Sequence, residues 1–224
     1  YEFKDEYANM PVDVQKDEEK GLYYVQKEKK RLYFRKSTPA KKIQKYYRAL
    51  SMEQDRRSPH HYFNSVKEVT GKVFVDVGCA EGYSSLEIIE EAKHVYLFEQ
   101  DEQWLEAIRA TFEPWQDKVT IVQKYVSDHN SSREQTLDDF FNNQTDEHLF
   151  LKMDIEGAER HALAGCKNLF QNCQKLDFAI CTYHLRDDEE VISAFLNKHN
   201  CTYINQKGFF RHRIRSVVMR GSKK

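Results

Sequence analysis

The sequence is poor in the residues that build disulfides, membrane spans and loop-rich chains. Its 224 residues include four prolines and eight glycines, and no apolar run approaches the roughly eighteen residues of a membrane-spanning helix. The five cysteines are odd in number and form no C-x-x-C pair, so they predict reduced, mostly buried thiols of a cytoplasmic protein. The length fits one α/β domain with an extension.

Charge is nearly balanced over the whole chain but not along it. The net charge is -1, so the chain as a whole gives no signal for a polyanionic partner. Residues 27–57 are the exception, with twelve lysines and arginines against three acids. Because tyrosines are interleaved, this segment is compatible with RNA binding or with a solvated helix pair that forms one wall of a substrate cleft. We favour the second alternative, so nucleic acid is not a predicted partner.

The first sixty residues are expected to form a helical extension. Residues 1–20 are polar and predict a loosely ordered lead-in with about one helical turn. Residues 22–35 predict a helix with Gly21 at its start. Residues 37–39, Ser-Thr-Pro, resemble a hydroxyl cap with proline in the first turn of a second helix, whose apolar face carries Ile43 and Tyr47. The predicted division is a helical extension over 1–62 and an α/β domain over 63–224.

A strand, a glycine turn and a helix begin the second part. Residues 73–77 are rich in β-branched and aromatic side chains, which is typical of a strand buried on both faces. Asp76 lies inside this strand, and Gly78 and Gly82 follow it. Such a turn at a helix N-terminus forms a cradle for a polar or anionic ligand.

The turn by itself does not identify its ligand. A dinucleotide fingerprint requires glycine where this chain has Ala80, and the G-K-[ST] of a P-loop is absent. The pattern Asp-x-Gly-x-x-x-Gly resembles motif I of S-adenosylmethionine-dependent methyltransferases. At this point S-adenosylmethionine, a nicotinamide cofactor and a turn without ligand all remain open.

An acid at the end of the next strand predicts where a ribose binds. Glu99 follows the strand at residues 94–98 and lies 23 residues after Asp76. That is close to the interval at which a second-strand carboxylate reaches ribose hydroxyls. The feature fits both candidate cofactors, so it does not separate them.

Three further acids follow a later strand, residues 149–153. Asp154, Glu156 and Glu159 are expected at its carboxyl end, where side chains face the ligand crevice of a parallel sheet. They are suited to binding a divalent cation, accepting a proton, holding an ammonium group or capping the next helix. The strand at residues 176–182 then delivers His184 to the same edge.

The order of elements predicts the architecture. Five β/α units alternate, and the segments 201–204 and 213–219 follow as strands with no helix between them, which makes them antiparallel. The predicted fold is α/β, a class I methyltransferase (Rossmann-like) doubly wound sheet. It is mostly parallel with an antiparallel C-terminal strand pair, preceded by the helical extension.

The ordered motifs resemble the FkbM family of S-adenosylmethionine-dependent methyltransferases over roughly residues 73–220. The matching segments are 75–82 (VDVGCAEG), 98–99 (FE), 126–128 (VSD), 136–140 (TLDDF), 152–159 (KMDIEGAE) and 162–165 (ALAG). The chain departs from the family where Cys79 to Glu81 replace the usual A-N-x and where Gln100 replaces proline. The resemblance implies that S-adenosylmethionine is bound by Asp76, Gly78, Ala80, Glu81, Gly82, Glu99, Asp128 and Asp154.

The resemblance also implies the reaction class. Characterised relatives mostly methylate hydroxyls, so the expected activity is O-methylation of a small molecule or glycan. Our first candidate for the base that removes the acceptor proton is His184, since imidazole titrates near neutral pH. Asp154 or Glu156, alone or through a divalent cation, is the second. The open alternatives are an RNA methyltransferase, a catalytically silent S-adenosylmethionine-binding protein and, more remotely, a nicotinamide oxidoreductase; the metal requirement and oligomeric state stay open.

Overall fold

The architecture was obtained as a computed structural model that describes residues 3–142, 145–210 and 213–223. The N-terminal part contains a short helix, three strands and a longer helix. These are α1 (Lys4–Ala8), β1 (Val14–Asp17), β2 (Leu22–Lys27), β3 (Lys30–Tyr33) and α2 (Ala40–Glu53).

The remaining elements follow the predicted alternation of strand and helix, with two short strands and one helix in addition. They are β4 (Val73–Val77), α3 (Tyr83–Ile88), β5 (His94–Phe98), α4 (Glu102–Phe112), β6 (Val119–Val122), β7 (Tyr125–Val126), β8 (Glu134–Gln135), α5 (Leu137–Phe140), β9 (Leu149–Met153), α6 (Glu159–Ala164), α7 (Lys167–Asn172), β10 (Leu176–Cys181), α8 (Asp188–Lys198), β11 (Thr202–Phe210) and β12 (Arg213–Lys223). Among the described residues, no helix is both long and apolar enough to cross a bilayer.

Seven of the described strands form one twisted sheet in the order β11-β12-β10-β9-β4-β5-β6. The strands from β10 to β6 are parallel, while β12 runs antiparallel to both β10 and β11. This confirms the predicted class I methyltransferase fold. Because β4 is central, its carboxyl end is flanked by those of β5 and β9, the strands that carry the predicted acids.

The two faces of the sheet are covered by different helices. All residues of β4 and β9 are buried, as their apolar sequences predict. Since side chains alternate along a strand, Val75 and Leu151 pack on one core together with Leu163 of α6 and Ile192 of α8. On the opposite face, Phe74 packs on the second core, which α3, α4 and the N-terminal strands complete.

The prediction of a helix over residues 22–35 is wrong. This segment forms the hairpin β2–β3, with Lys27 paired to Lys30 across a two-residue turn and Glu28 in the left-handed region at φ 55°. The physical signal is the β-branched and aromatic content of residues 23–25, which favours a strand surface. The lysines around it hid this signal, because they are equally common on a solvated helix.

The second predicted helix is confirmed as α2, with Ile43 and Tyr47 on its buried face. Its expected hydroxyl cap is absent, because Pro39 itself occupies the N-cap position and no side chain caps the helix. Proline lacks an N–H and its backbone is extended here, so the chain enters the helix without losing a hydrogen bond.

The N-terminal strands share the core of the α/β domain. Leu32 and Phe34 are fully buried in the second core, on the same face of the large sheet as Phe74. The Tyr33 N–H donates to Thr111 Oγ1 of α4 at 3.0 Å, and Lys27 forms an ion pair with Glu87 of α3. The residues before and after the predicted boundary at residue 62 therefore pack in one core. The predicted division into two parts stays a prediction.

The cysteines are all free, and four of the five are buried. Burial raises the pKa of the Cys79, Cys166 and Cys181 thiols well above their ordinary value. They act as small apolar core residues rather than as nucleophiles.

We predict that the substitution Phe34→Ala destabilises the whole domain. Removing a fully buried phenylalanine ring costs about 3–5 kcal/mol, and the shared core should make unfolding a single transition. Denaturant unfolding followed by circular dichroism and fluorescence checks this, with Lys29→Ala in the exposed hairpin turn as control. Two separate transitions, with only the first shifted by Phe34→Ala, would contradict the shared core.

Candidate functional site

The turn after β4 is pressed against the chain that follows β9. Gly78 has φ 78°, and a Cβ at this position would lie 2.1 Å from the carbonyl oxygen of Asp154. Only glycine tolerates both the left-handed backbone and this approach. The close approach brings the predicted cofactor turn and the predicted acidic stretch into one site.

Glu99 supports the turn from the neighbouring strand. Its Oε2 accepts the N–H of Ala80 at 3.0 Å and its Oε1 accepts the N–H of Asp101 at 2.8 Å. Ala80 has φ 46° and Gly82 has φ 81°. The carboxylate is thus held at the end of β5 by two backbone donors, beside a turn whose backbone has an unusual conformation.

Asp76 lies below the turn and is almost completely buried. Its carboxylate forms an ion pair with Lys152 at 2.8 Å and accepts the Ser85 hydroxyl at 2.6 Å. Lys152 also donates to the carbonyl oxygen of Gly78 at 2.7 Å. Although burial opposes the charged ammonium group, the Asp76 and Asp154 carboxylates outweigh it and raise the pKa of Lys152.

One cavity of about 890 Å³ connects these features. It extends from the Gly78 turn and Glu99 to the acidic stretch after β9. Of the ten residues predicted for the site, eight line it: Asp76, Gly78, Ala80, Glu81, Glu99, Asp128, Asp154 and Glu156. Gly82 and His184 are outside the lining set.

The N-terminal part provides one wall of this cavity. Tyr46 and Glu53 of α2 line it, together with Arg35 and Tyr62. The Tyr46 hydroxyl donates to Glu81 Oε2 at 2.8 Å. The Tyr62 hydroxyl donates to Asp154 Oδ2 at 2.6 Å. The wall is therefore attached by hydrogen bonds to both ends of the predicted site.

The acidic stretch turns sharply after β9. The N–H of Asp154 donates to the carbonyl oxygen of Val77, which fixes its position beside the β4 turn. Glu156 has φ 56° and Gly157 has φ 103°, so the chain reverses there into α6. Strained backbone of this kind is concentrated at functional sites. The reversal leaves Glu156 exposed at the cavity mouth and Glu159 buried behind it.

His184 lies behind Asp154 rather than in the cavity wall. Its Nδ1 is 2.9 Å from Glu159 Oε1, and its Nε2 is 3.5 Å from Asp154 Oδ1 and 3.7 Å from Glu156 Oε2. Burial lowers the pKa of His184, but the three carboxylates together raise it above its ordinary value. The predicted groups therefore lie together, and Asp154 and Glu156 rather than His184 line the cavity.

Asp128, which follows β7, also lines the cavity. Its carboxylate contacts His129 Nδ1 at 2.8 Å and His161 Nδ1 at 2.9 Å. These two imidazoles lower the pKa of Asp128 to about 2. It is therefore ionised over the physiological range.

Several site residues were missed from sequence. Lys152 is the one with a readable signal, because a lysine within a strand of otherwise apolar residues is almost never buried without a partner. Tyr46 and Glu53 lie in the segment 27–57 that was expected to form a wall of the cleft, but no local pattern singled them out. Tyr62 carried no signal, since it reaches the site only through the tertiary position of the N-terminal part.

We predict that Glu81→Gln stabilises the ligand-free protein at alkaline pH. Burial raises the pKa of Glu81 to about 7, against the hydrogen bond from Tyr46, which favours the carboxylate. A raised carboxyl pKa gives stability that is complete below about pH 4.5 and is lost as the pH rises to 7. Glutamine cannot ionise, so its advantage should be roughly 3 kcal/mol at pH 8 and less than about 1 kcal/mol at pH 5.

Denaturant unfolding of both proteins at pH 5 and pH 8 measures this difference. Glutamine still offers an oxygen to the Tyr46 hydroxyl, so packing is matched. A difference that does not change with pH would show that Glu81 is not the ionising group.

The comparisons with known proteins agree with this geometry. The sequence profile of the family described as "Methyltransferase FkbM domain" matches residues 59–204, more than half of the chain. The search of curated proteins gave no match.

Three solved structures share the fold at low sequence identity. Methyltransferase FkbM from Methylobacillus flagellatus is 17% identical with a TM-score of 0.54, over 82% of this chain and 55% of its own. SMU.1697c from Streptococcus mutans, solved with S-adenosylhomocysteine, is 16% identical with a TM-score of 0.51, over 70% and 93%. Magnesium protoporphyrin IX methyltransferase from Synechocystis, solved with S-adenosylmethionine, is 13% identical with a TM-score of 0.52, over 84% and 86%.

This chain therefore spans about half the length of the Methylobacillus protein that it resembles. The profile match confirms the resemblance that the motifs 75–82 and 152–159 indicate. The chain belongs to the methyltransferase FkbM domain family.

Proposed function

We propose that this protein is an S-adenosylmethionine-dependent O-methyltransferase that acts on a hydroxyl of a small molecule or glycan. One observation carries the proposal: a single cavity joins the Gly78–Gly82 turn and the ribose-binding position at Glu99 to the carboxylates of Asp154 and Glu156. Its volume of about 890 Å³ is at the upper end of small-molecule pockets, which suits a cofactor and an acceptor side by side.

The cofactor end fits S-adenosylmethionine. The glycine at position 78 lets the turn lie directly against Asp154, so the backbone of the turn lines the cavity beside the acidic stretch. Glu99 has both oxygens anchored on backbone N–H groups, and their remaining lone pairs suit two ribose hydroxyls. The Streptococcus and Synechocystis proteins were solved with the product and the cofactor, respectively, which supports this choice.

The acceptor end fits removal of a hydroxyl proton. S-adenosylmethionine supplies a methyl group on an already activated sulfonium, so the protein must chiefly align the acceptor and exclude water. Asp154 faces the cavity, Glu156 is at its mouth and His184 is in contact with both carboxylates. We assign these three side chains to the removal of the acceptor proton.

The basic segment gives little support to the RNA alternative. Lys27 and Arg35 form ion pairs with Glu87 and Asp101, and Arg57 pairs with Glu6. Arg48 donates to a backbone carbonyl oxygen. Much of the positive charge between residues 27 and 57 is therefore used inside the molecule.

We predict that Glu99→Gln weakens S-adenosylmethionine binding at least tenfold. The amide retains the shape but loses the charge that strengthens hydrogen bonds to two hydroxyls. Isothermal titration calorimetry with S-adenosylmethionine and S-adenosylhomocysteine measures the dissociation constants, with Glu102→Gln on the exposed first turn of α4 as control. Failure of the wild type to bind either ligand would overturn the proposed cofactor.

We predict that His184→Gln lowers the rate of methyl transfer by about a hundredfold or more, the usual range for loss of acid–base catalysis. Transfer of labelled methyl groups from S-adenosylmethionine into fractionated cell extract first identifies the acceptor. The turnover rate is then measured on that acceptor, and calorimetry should give a cofactor affinity within threefold of wild type.

His94→Gln is the matched control, since His94 begins β5 at the opposite edge of the sheet. An unchanged rate in His184→Gln would remove His184 from the proton-transfer group and leave the two carboxylates.

A further inference from the structure

We propose that Asp154, Glu159 and His184 form a binding site for a divalent transition-metal cation at the acceptor end of the cavity. Its catalytic role rests on the proposed function, whereas cation binding itself does not. The three residues come from three elements that meet at the carboxyl edge of the sheet: the end of β9, the first turn of α6 and the end of β10.

The donor atoms converge on one point. Each of the three side chains offers one ligand atom, and these atoms lie within 4.8 Å of one another. Cations of this class are held at about 2.0–2.2 Å by nitrogen and oxygen donors. Neighbouring ligands of one cation are therefore about 3–3.6 Å apart, and the distance of 3.5 Å between His184 Nε2 and Asp154 Oδ1 falls in this range.

The same place holds two buried polar atoms of the described chain that have no hydrogen-bond partner. These are Glu159 Oε2 and His184 Nε2, whereas His184 Nδ1 lies 2.9 Å from Glu159 Oε1. The Glu159 side chain is 0% exposed and that of His184 is 8% exposed. Each such atom costs about 1–3 kcal/mol if it has no partner, so their concentration indicates a bound ligand.

The surrounding hydrogen bonds leave the right atoms available. Glu159 Oε1 accepts the N–H of Ile155 at 2.9 Å, which orients the carboxylate and leaves Oε2 without a protein donor. The Tyr62 hydroxyl occupies Asp154 Oδ2, while Oδ1 faces the imidazole. Outer hydrogen bonds of this kind are what orient the ligands of metal sites.

The donor types narrow the class of cation. Two carboxylates and one imidazole suit Mn²⁺, Fe²⁺, Co²⁺ or Zn²⁺ better than Mg²⁺ or Ca²⁺, which prefer oxygen donors alone. Three protein ligands also leave coordination positions open, as in catalytic rather than structural sites. Of the three ligands, Asp154 is the one that lines the cavity, so a cation held here would adjoin the acceptor end on the Asp154 side.

A cation here would acidify the acceptor hydroxyl. The acceptor O–H bond breaks, and its proton passes to Glu156, whose side chain is 92% exposed and exchanges with water. The oxygen lone pair forms the new O–CH₃ bond as the S–CH₃ bond breaks. That electron pair stays on sulfur, which becomes a neutral thioether, so no oxidant or reductant is required.

Calorimetry on the full chain, freed of metals with a chelator and then dialysed, tests the site directly. Mn²⁺, Zn²⁺ and Mg²⁺ are titrated separately, each alone. We expect one Mn²⁺ or Zn²⁺ per chain and at least tenfold weaker binding of Mg²⁺. Mg²⁺ binding as tight as that of Mn²⁺ would overturn the assignment of the imidazole as a ligand.

Variants connect the binding to these residues. Asp154→Asn, Glu159→Gln and His184→Gln should each weaken Mn²⁺ binding at least tenfold, whereas Glu102→Gln, in the exposed first turn of α4, should stay within threefold. Because Glu159 is buried, thermal melting checks that its variant folds. If the Glu159→Gln variant does not fold, Mn²⁺ binding by Asp154→Asn still tests the site, because Asp154 is partly exposed.

The failures of the two proposals are distinguishable. S-adenosylmethionine is titrated into the same metal-free sample. If the sample binds S-adenosylmethionine but neither Mn²⁺ nor Zn²⁺, the cation site is overturned and the proposed cofactor stands. This is the result expected if only water fills the position. Metal binding that is unchanged in Asp154→Asn and His184→Gln overturns it as well.

Discussion

The buried ion pair between Asp76 and Lys152 is the interaction on which the rest of the site depends. The two residues are register partners on the neighbouring parallel strands β4 and β9, and both are nearly inaccessible to solvent. Breaking such a pair by removing one partner costs about 3–5 kcal/mol, because the other charge is left buried. Lys152 also donates to the Gly78 carbonyl, so the pair fixes the strands and the turn together.

This constraint explains why the two halves of the cavity lie so close. With β4 and β9 held in register, the Gly78 turn meets Asp154 directly, and the Asp154 N–H closes onto Val77. The carboxyl ends of parallel strands face the ligand crevice, as in other doubly wound sheets. The N-terminal part then covers that crevice and contributes Tyr46 and Tyr62 to its two ends.

Most of the α/β domain could be predicted because its local signals agree with its tertiary role. β4 and β9 are apolar except for Asp76 and Lys152, and α4 follows Asp101, whose side chain caps the helix. The same agreement placed Glu99 and Asp154 at strand ends. In the N-terminal hairpin the local signals disagree with the tertiary role. Its β-branched and aromatic residues favour a strand, but the lysines around them are equally common on a solvated helix.

The sequence could predict which residues lie near one another at the candidate site, but not how their side chains are arranged. Spacing identified Asp154, Glu156 and His184 as neighbours, because successive parallel strands end at one edge. It did not show that His184 lies behind Asp154 in contact with Glu159, since this depends on the reversal at Glu156 and Gly157. Tyr62 was not predictable at all, because it reaches Asp154 across 92 residues of sequence.

We propose that one cavity holds a methyl donor at the Gly78 turn and an acceptor at Asp154. A crystal structure of the protein with S-adenosylhomocysteine tests it most directly. The account predicts ribose hydroxyls within hydrogen-bond distance of Glu99 and a sulfur atom that faces Asp154 across the cavity. A ligand bound elsewhere, or bound with its sulfur directed away from Asp154, would contradict the account.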